Sequence, residues 1–210
     1  MTLPAPRPPG VQTRLFHTDV GAMLAEATPH GVARLAQVSP HEVDATWFNV
    51  KHHRSEDDDE VGPDRTGRPG QVHGPDAVDA AGRLDRSFGH LDRVERQVQD
   101  YLAGRLREFR VDIDWEAAGV HDEFSREVYC EIQHIPYGHT STYGQISIDA
   151  GRPRNARRVG RLCSLVPVTL VIPVHRVIRA DGGMGRCPEY RLRLLQHERE
   201  VLAAGSPRTV

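Results

Sequence analysis

The residues able to do chemistry gather late in the chain, around Val171-Ile172-Pro173-Val174-His175-Arg176-Val177-Ile178. A hydrophobic run there delivers a Pro-Val-His-Arg step, which holds a histidine and an arginine at the end of a buried segment. The sulfur inventory is short: Cys130, Cys163 and Cys187, with no paired spacing. An odd count of that kind fits reduced thiols in a cytoplasmic protein better than a disulfide scaffold. Cys130 reads as a small core hydrophobe. Twelve histidines invite a metal site, but His52, His53 and His73 fall in a stretch expected to be disordered. No Cys/His spacing fits zinc, so neither a metal nor a cofactor is expected. Charge is the second chemical signature. The net charge of −2 hides an asymmetry, because between residues 137 and 180 seven arginines face one acid, Asp149. Such a block is the footprint of a face that binds a polyanion. The plainer alternative is a solvated Arg-rich helix in a chain whose single lysine is Lys51.

Positioning these residues takes a series of elements. The first ten residues hold four prolines and read as a leader. Residues 14–37 read as two or three antiparallel strands, with Thr28-Pro29-His30-Gly31 as turn chemistry. A further strand is expected near residues 45–50. Residues 51–83 read as a disordered insertion, because repeated Gly and Pro and the run Ser55-Glu56-Asp57-Asp58-Asp59-Glu60 offer little to bury. That acidic run reads as a solvated linker, with competition for the basic face as a DNA mimic the alternative. From Leu84 the period turns helical, with Phe88, Leu91, Val94, Val98, Tyr101 and Leu102 on one stripe and Gly104 as a stop. A second helix spans residues 122–134, capped by Asp122. Two short helices follow at 143–150 and 154–165, a helix-turn-helix spacing with Arg154, Arg157, Arg158 and Arg161 on the second. Residues 168–172 read as a buried strand leading to the Pro-Val-His-Arg step. A turn at Asp181-Gly182-Gly183 precedes a last helix carrying Leu192, Leu194, Leu195 and Glu198. No apolar run approaches the roughly 20 residues of a membrane span.

Taken in order, these segments resemble the O6-alkylguanine-DNA alkyltransferase (methylated-DNA–protein-cysteine methyltransferase) family. Ile135-Pro136-Tyr137-Gly138, Ser141-Thr142-Tyr143-Gly144, Ala156-Arg157-Arg158-Val159-Gly160 and Leu194-Leu195-Gln196-His197-Glu198 follow the family's sequence of motifs. Ile172-Pro173-Val174-His175-Arg176-Val177 is similar to its signature Ile-Pro-Cys-His-Arg-Val, with Val174 where the alkyl-accepting cysteine would stand. The resemblance implies an α+β fold. A small antiparallel-sheet N-terminal domain, ribonuclease-H-like, would occupy 13–110 after a leader at 1–12. A mostly helical domain with a winged helix-turn-helix-like unit would occupy 120–203, ahead of a tail at 204–210.

The same resemblance assigns roles. The helix-turn-helix would dock in the minor groove of double-stranded DNA and flip an alkylated guanine into a pocket, at a cost of a few kcal/mol. Arg157 would fill the vacated stack and Tyr143 would crowd the 3′ phosphate, with Arg154, Arg158 and Gly160 completing the DNA face. Pro173, Val174, His175, Arg176, Gly183 and Gly185 would form the pocket. His175, through a water, and Glu198 would remain of the network that holds a thiolate in active members, while Arg176 braces the fold through a carboxylate. Val174 has no lone pair and no acidic proton, so it cannot accept an alkyl group. Val166 replaces an Asn, Arg158 a small residue, and Arg186-Cys187-Pro188-Glu189-Tyr190 a longer pocket lip. The expected protein is a monomeric lesion sensor, similar to the alkyltransferase-like proteins, that hands damage to other repair proteins. The alternatives are an enzyme using a displaced Cys187, or a DNA-binding regulator without lesion recognition.

Overall fold

A computed structural model describes residues 10–38, 75–185 and 188–205. The strand expected near 45–50, the acidic run, His52, His53, His73 and Cys187 lie outside the described residues. Three antiparallel strands open the fold: β1 (Gln12–Thr18), β2 (Gly21–Thr28) and β3 (Gly31–Val38), in the order β1-β2-β3. Leu15 stands opposite Leu24, and Ala25 opposite Leu35. Helix α1 (Pro75–Leu102) lies across the sheet, burying Leu91, Val94, Val98 and Tyr101 completely. Arg14 on β1 pins it through Asp92 at 2.6 Å and Glu95 at 3.0 Å.

Two expectations change here. The helix starts at Pro75, inside the stretch expected to be disordered. A proline at the first helical position gives up an N–H that would have no partner, and Ala77, Ala80 and Ala81 are strong helix formers. Phe88 is 44% exposed while Ser87 is fully buried, so the inward face runs 87, 91, 94, 98 rather than through 88. The Ser87 hydroxyl donates to the Arg83 carbonyl, which makes that burial tolerable.

The remaining elements are helical and short. Helix α2 (Glu123–Gln133) is capped by Asp122, which accepts from the Ser125 N–H at 3.1 Å. Phe124, Val128 and Ile132 face inward at four-residue spacing, and Cys130 falls on the opposite, exposed side rather than in the core. Strand β4 (Ser141–Thr142) leads directly into α3 (Tyr143–Asp149), capped by Thr142, and α4 (Ala156–Ser164) follows. A 3-10 turn (Val174–Arg176) precedes β5 (Val177–Ile178), which pairs in parallel with β4. Helix α5 (Pro188–Gly205) closes the fold.

Residues 168–172, buried except for the half-buried Thr169, do not form a strand. Leu170 adopts φ 69°, and the Val171 and Ile172 N–H groups donate back to the Thr169 and Val168 carbonyls. A continuously apolar run has no period, so burial alone could not tell a strand from this tight fold-back.

The free edge of β3 joins the sheet to the helical part. Leu35 exchanges backbone hydrogen bonds with Pro167 and Thr169, and Val32 with Asp112 and Asp114. One core cluster runs from Met23 and Leu35 through Tyr101 and Ile132 to Val174 and Leu194. Among the described residues no helix is long and apolar enough to cross a membrane.

Candidate functional site

The His-Arg step meets α5 through Glu198, which is fully buried. Glu198 Oε1 lies 2.7 Å from His175 Nε2, accepts from the Tyr101 hydroxyl at 2.7 Å and from Arg176 at 2.9–3.0 Å. Its Oε2 accepts from the Gly138 N–H at 2.7 Å. Gly138 holds φ 78°, and a Cβ there would run into Leu202, so glycine is what lets this amide approach α5. The Arg176 Nη1 donates to the Ile135 carbonyl at 2.7 Å, and the guanidinium lies 5.4 Å from the Tyr137 ring centroid.

Burial works against the charge on Glu198. The donors facing it, His175 first and then Arg176 and Tyr101, outweigh burial and hold its carboxyl at about 2. For His175 burial wins: it lowers the imidazole further than Glu198 raises it, and Arg176 adds to the lowering. At neutral pH the carboxylate is therefore charged and the imidazole neutral. A carboxylate can only accept, so the proton sits on Nε2 and leaves Nδ1 as a lone-pair acceptor. That is the state in which a histidine can take a proton from, or order a water beside, a neighbouring group.

Val174 and His175 line a cavity of about 200 Å³ with Cys163, Val166, Leu170, Tyr190, Arg191 and Leu194. Pro173 and Arg176, expected in the same pocket, instead border a separate cavity of about 330 Å³ beside Tyr137. In the 3-10 turn side chains three residues apart fall on one side, so Pro173 and Arg176 go together and Val174 and His175 turn elsewhere. Gly183 lies against Asp181 and Arg179, away from the Val174 cavity. Gly185 packs where a Cβ would stand 2.6 Å from the Tyr143 hydroxyl and 3.1 Å from Arg191 Nη1. Cys163 was not singled out from sequence, yet it is the sulfur that lines this cavity among the described residues. Burial pushes its thiol up to about 12, with Arg191 only partly opposing. It is a poor nucleophile in that state.

The two short helices form one tied unit. The fully buried Ser147 donates to the Arg152 carbonyl at 2.5 Å and accepts from the Asn155 N–H at 2.9 Å, locking the turn between α3 and α4. Tyr143, half-buried at the start of α3, has its ring edge 4.0 Å from where a Gly160 Cβ would lie. Arg154, Arg157 and Arg161 are exposed, without an ion pair among the described residues. Arg158, also exposed, is the one of the four that is already paired. It pairs with Asp122 at 2.7 Å and lies 4.4 Å over the Phe124 ring, because the side chain points back toward the α2 cap.

Sequence placed Tyr101 only in a helical stripe and Gly138 only within a motif, and it singled out neither Ser147 nor Arg191. A tyrosine on a buried helical stripe does carry one signal, since its hydroxyl needs a partner inside the core.

A family model described as "6-O-methylguanine DNA methyltransferase, DNA binding domain" matches residues 123–200. A methylated-DNA–protein-cysteine methyltransferase of Methanosarcina acetivorans is 39% identical over 91 residues, 43% of this chain and 56% of that protein. Another, from Mycobacterium leprae, is 39% identical over 114 residues, 53% of this chain and 67% of that protein. The chain thus spans little more than half the length of the first of these relatives. The crystal structure of Mycobacterium tuberculosis OGT in complex with DNA shares the fold with a TM-score of 0.60, at 22% identity over 90% of this chain and 93% of that one.

Proposed function

The chain belongs to the methylated-DNA–protein-cysteine methyltransferase family, and from that premise we propose that it recognises O6-alkylguanine in duplex DNA without accepting the alkyl group. One observation carries the reading. A hydrocarbon, Val174, borders the cavity next to an intact and buried His175–Glu198–Tyr101 network. The apparatus that would orient a reacting group remains, and the nucleophile position holds two methyl groups. In-line attack needs sulfur about 3 Å from the alkyl carbon, with a base in reach. Cys163, the described sulfur nearest this chemistry, is held as the thiol.

DNA would meet the α3–α4 unit. Arg154, Arg157 and Arg161 offer uncommitted cations to phosphates or to an emptied base stack, and a planar guanidinium suits both. Tyr143 would stand at the mouth of the cavity, between the DNA and Gly185. A flipped base costs a few kcal/mol of stacking, which Arg157 in the stack would offset.

The test has two arms. Fluorescence anisotropy at fixed salt compares O6-methylguanine, O6-benzylguanine and plain duplexes, and intact-mass measurement follows incubation with the alkylated ones. The expected result is tighter binding to alkylated DNA with no mass increase. Equal affinity for damaged and plain duplex would leave only a general DNA-binding role. A covalent adduct at Cys163 or Cys187 would restore the enzyme.

A further inference from the structure

The acidic run Glu56-Asp57-Asp58-Asp59-Glu60 is a charged motif that lesion recognition leaves unused. The fold shows where the chain leading to it sets out. Leu35 of β3 exchanges backbone hydrogen bonds with Pro167 and Thr169, just past the end of α4. Ala36 and Gln37 line the same cavity as Cys163 and Ser164, the last residues of α4. Strand β3 ends at Val38, so the chain departs beside the C-terminal turn of α4. From Val38 to Ser55 is 17 residues, a contour of up to roughly 56 Å. Helix α4 has 9 residues and is about 14 Å long. The run can therefore reach any arginine of that helix. Tethering over such a span gives an effective concentration on the order of millimolar, far above that of DNA in a binding assay.

Charge points the same way. Arg157 and Arg161 stand one turn apart on α4, and Arg154 lies just ahead of the helix. All three are exposed, and none has an ion pair among the described residues. Nearby acids are already engaged. Asp149, the one acid between residues 137 and 180, accepts from the Gln145 amide. Asp122 pairs with Arg158, and Glu123 with Arg152. Five successive carboxylates offer these guanidinium groups what a row of phosphates offers: closely spaced negative oxygens that accept charge-assisted hydrogen bonds.

We propose that residues 56–60 dock on the exposed arginines of α4 as an internal stand-in for the DNA backbone, which a duplex must displace. The inference takes from the reading above only that DNA meets α4. Because the run competes with every duplex, it weakens plain and alkylated DNA by the same factor and leaves their ratio unchanged. A few weak, exposed ion pairs predict a factor of roughly three to ten at about 50 mM salt, fading by about 300 mM as screening tightens. The test neutralises the run in the full chain as Glu56→Gln, Asp57→Asn, Asp58→Asn, Asp59→Asn and Glu60→Gln. Anisotropy with plain and O6-methylguanine duplexes should then show both binding tighter by that factor at low salt. Losing five negative charges also relieves general repulsion of DNA. The same change is therefore made in an Arg154→Gly, Arg161→Gln background, where the gain should fall below about twofold. A gain of full size there, or no gain in the otherwise unaltered chain, overturns the proposal. A second readout needs no DNA: neutralising the run should shift the amide resonances of Arg157 to Arg161 and leave those of β2 in place. Unmoved α4 resonances overturn the proposal as well. If Arg154→Gly with Arg161→Gln leaves plain-duplex affinity unaltered, DNA does not meet these arginines and the DNA face proposed above fails. The amide shifts alone then decide whether the run docks.

Discussion

Glu198 organises the site because four donors from three places converge on it: His175 and Arg176 of the 3-10 turn, a distant helix tyrosine and a turn amide. Glu198→Gln keeps the shape but strands the Arg176 charge in the interior. Removing one partner of a buried pair in this way is expected to cost about 3–5 kcal/mol, measured as a drop in urea unfolding free energy. The same residues set the response to acid. The unfolded chain takes up a proton on His175 near 6.5, while the folded imidazole, held lower by burial, does not. Stability is therefore full above about 6.5 and begins to fall below it. Glu198 adds a second loss, beginning near 4.5 and complete as pH falls through about 2. Urea midpoints should be flat from pH 8 to 7 and decline steadily on acidification, and a rise between pH 7 and 5 would contradict this assignment. At this scale the sequence was readable where partners are adjacent, as in Val174-His175-Arg176. Tyr101 and Gly138 reach Glu198 across 97 and 60 residues, and no spacing rule encodes contacts at that separation.

The side-chain-capped helix starts are where sequence and structure agree most closely. Asp122 and Thr142 cap α2 and α3 through the N–H three residues on, as the chemistry of short acceptor side chains requires. The run 168–172 was unreadable for the opposite reason, since all but Thr169 are apolar and nothing marks the left-handed Leu170. On α4, counting arginines says less than asking which are already paired. Arg158 braces the α2 cap, so Arg158→Ala should lower stability by up to about 1 kcal/mol and leave the salt dependence of DNA binding unchanged. Arg154 is exposed and holds φ 69°, a conformation glycine adopts without strain. Arg154→Gly therefore removes a cation without disturbing the turn, and if that cation meets a phosphate the slope of log K against log salt should shrink by about 0.9. Arg157→Ala has a different expected signature: the ratio of damaged to plain affinity should collapse toward one, because the side chain that fills the emptied stack is gone. An unchanged ratio in that variant would remove Arg157 from the flipping role.

Charge and core are distributed differently over the whole molecule. Net positive charge concentrates between residues 137 and 180, where seven arginines meet a single acid, a division visible in the composition of the chain. The core ignores that division. Leu35 of β3 exchanges backbone hydrogen bonds with residues 167 and 169, and Tyr101 of α1 donates to Glu198 of α5. The family resemblance separates 13–110 from 120–203 along the chain, whereas the contacts across β3 tie the two parts together. The physical consequence is cooperativity. A sheet of three strands with one helix is too small a unit to hold its core without the helical part beside it. Unfolding in urea should therefore be a single transition, with far-UV circular dichroism coinciding with the fluorescence of Trp115, which stacks on Tyr129 of α2, in a Trp47→Phe background. Leu35→Ala provides the sharper version, because the lesion is in the sheet and the reporter is not. Removing a fully buried leucine costs about 2–5 kcal/mol. If the two parts unfold together, the Trp115 midpoint must fall by the same amount as the circular dichroism midpoint. If Trp115 keeps its original midpoint while the dichroism splits into two steps, the sheet and the helical part are independent domains, and the β3 edge is only a contact between them.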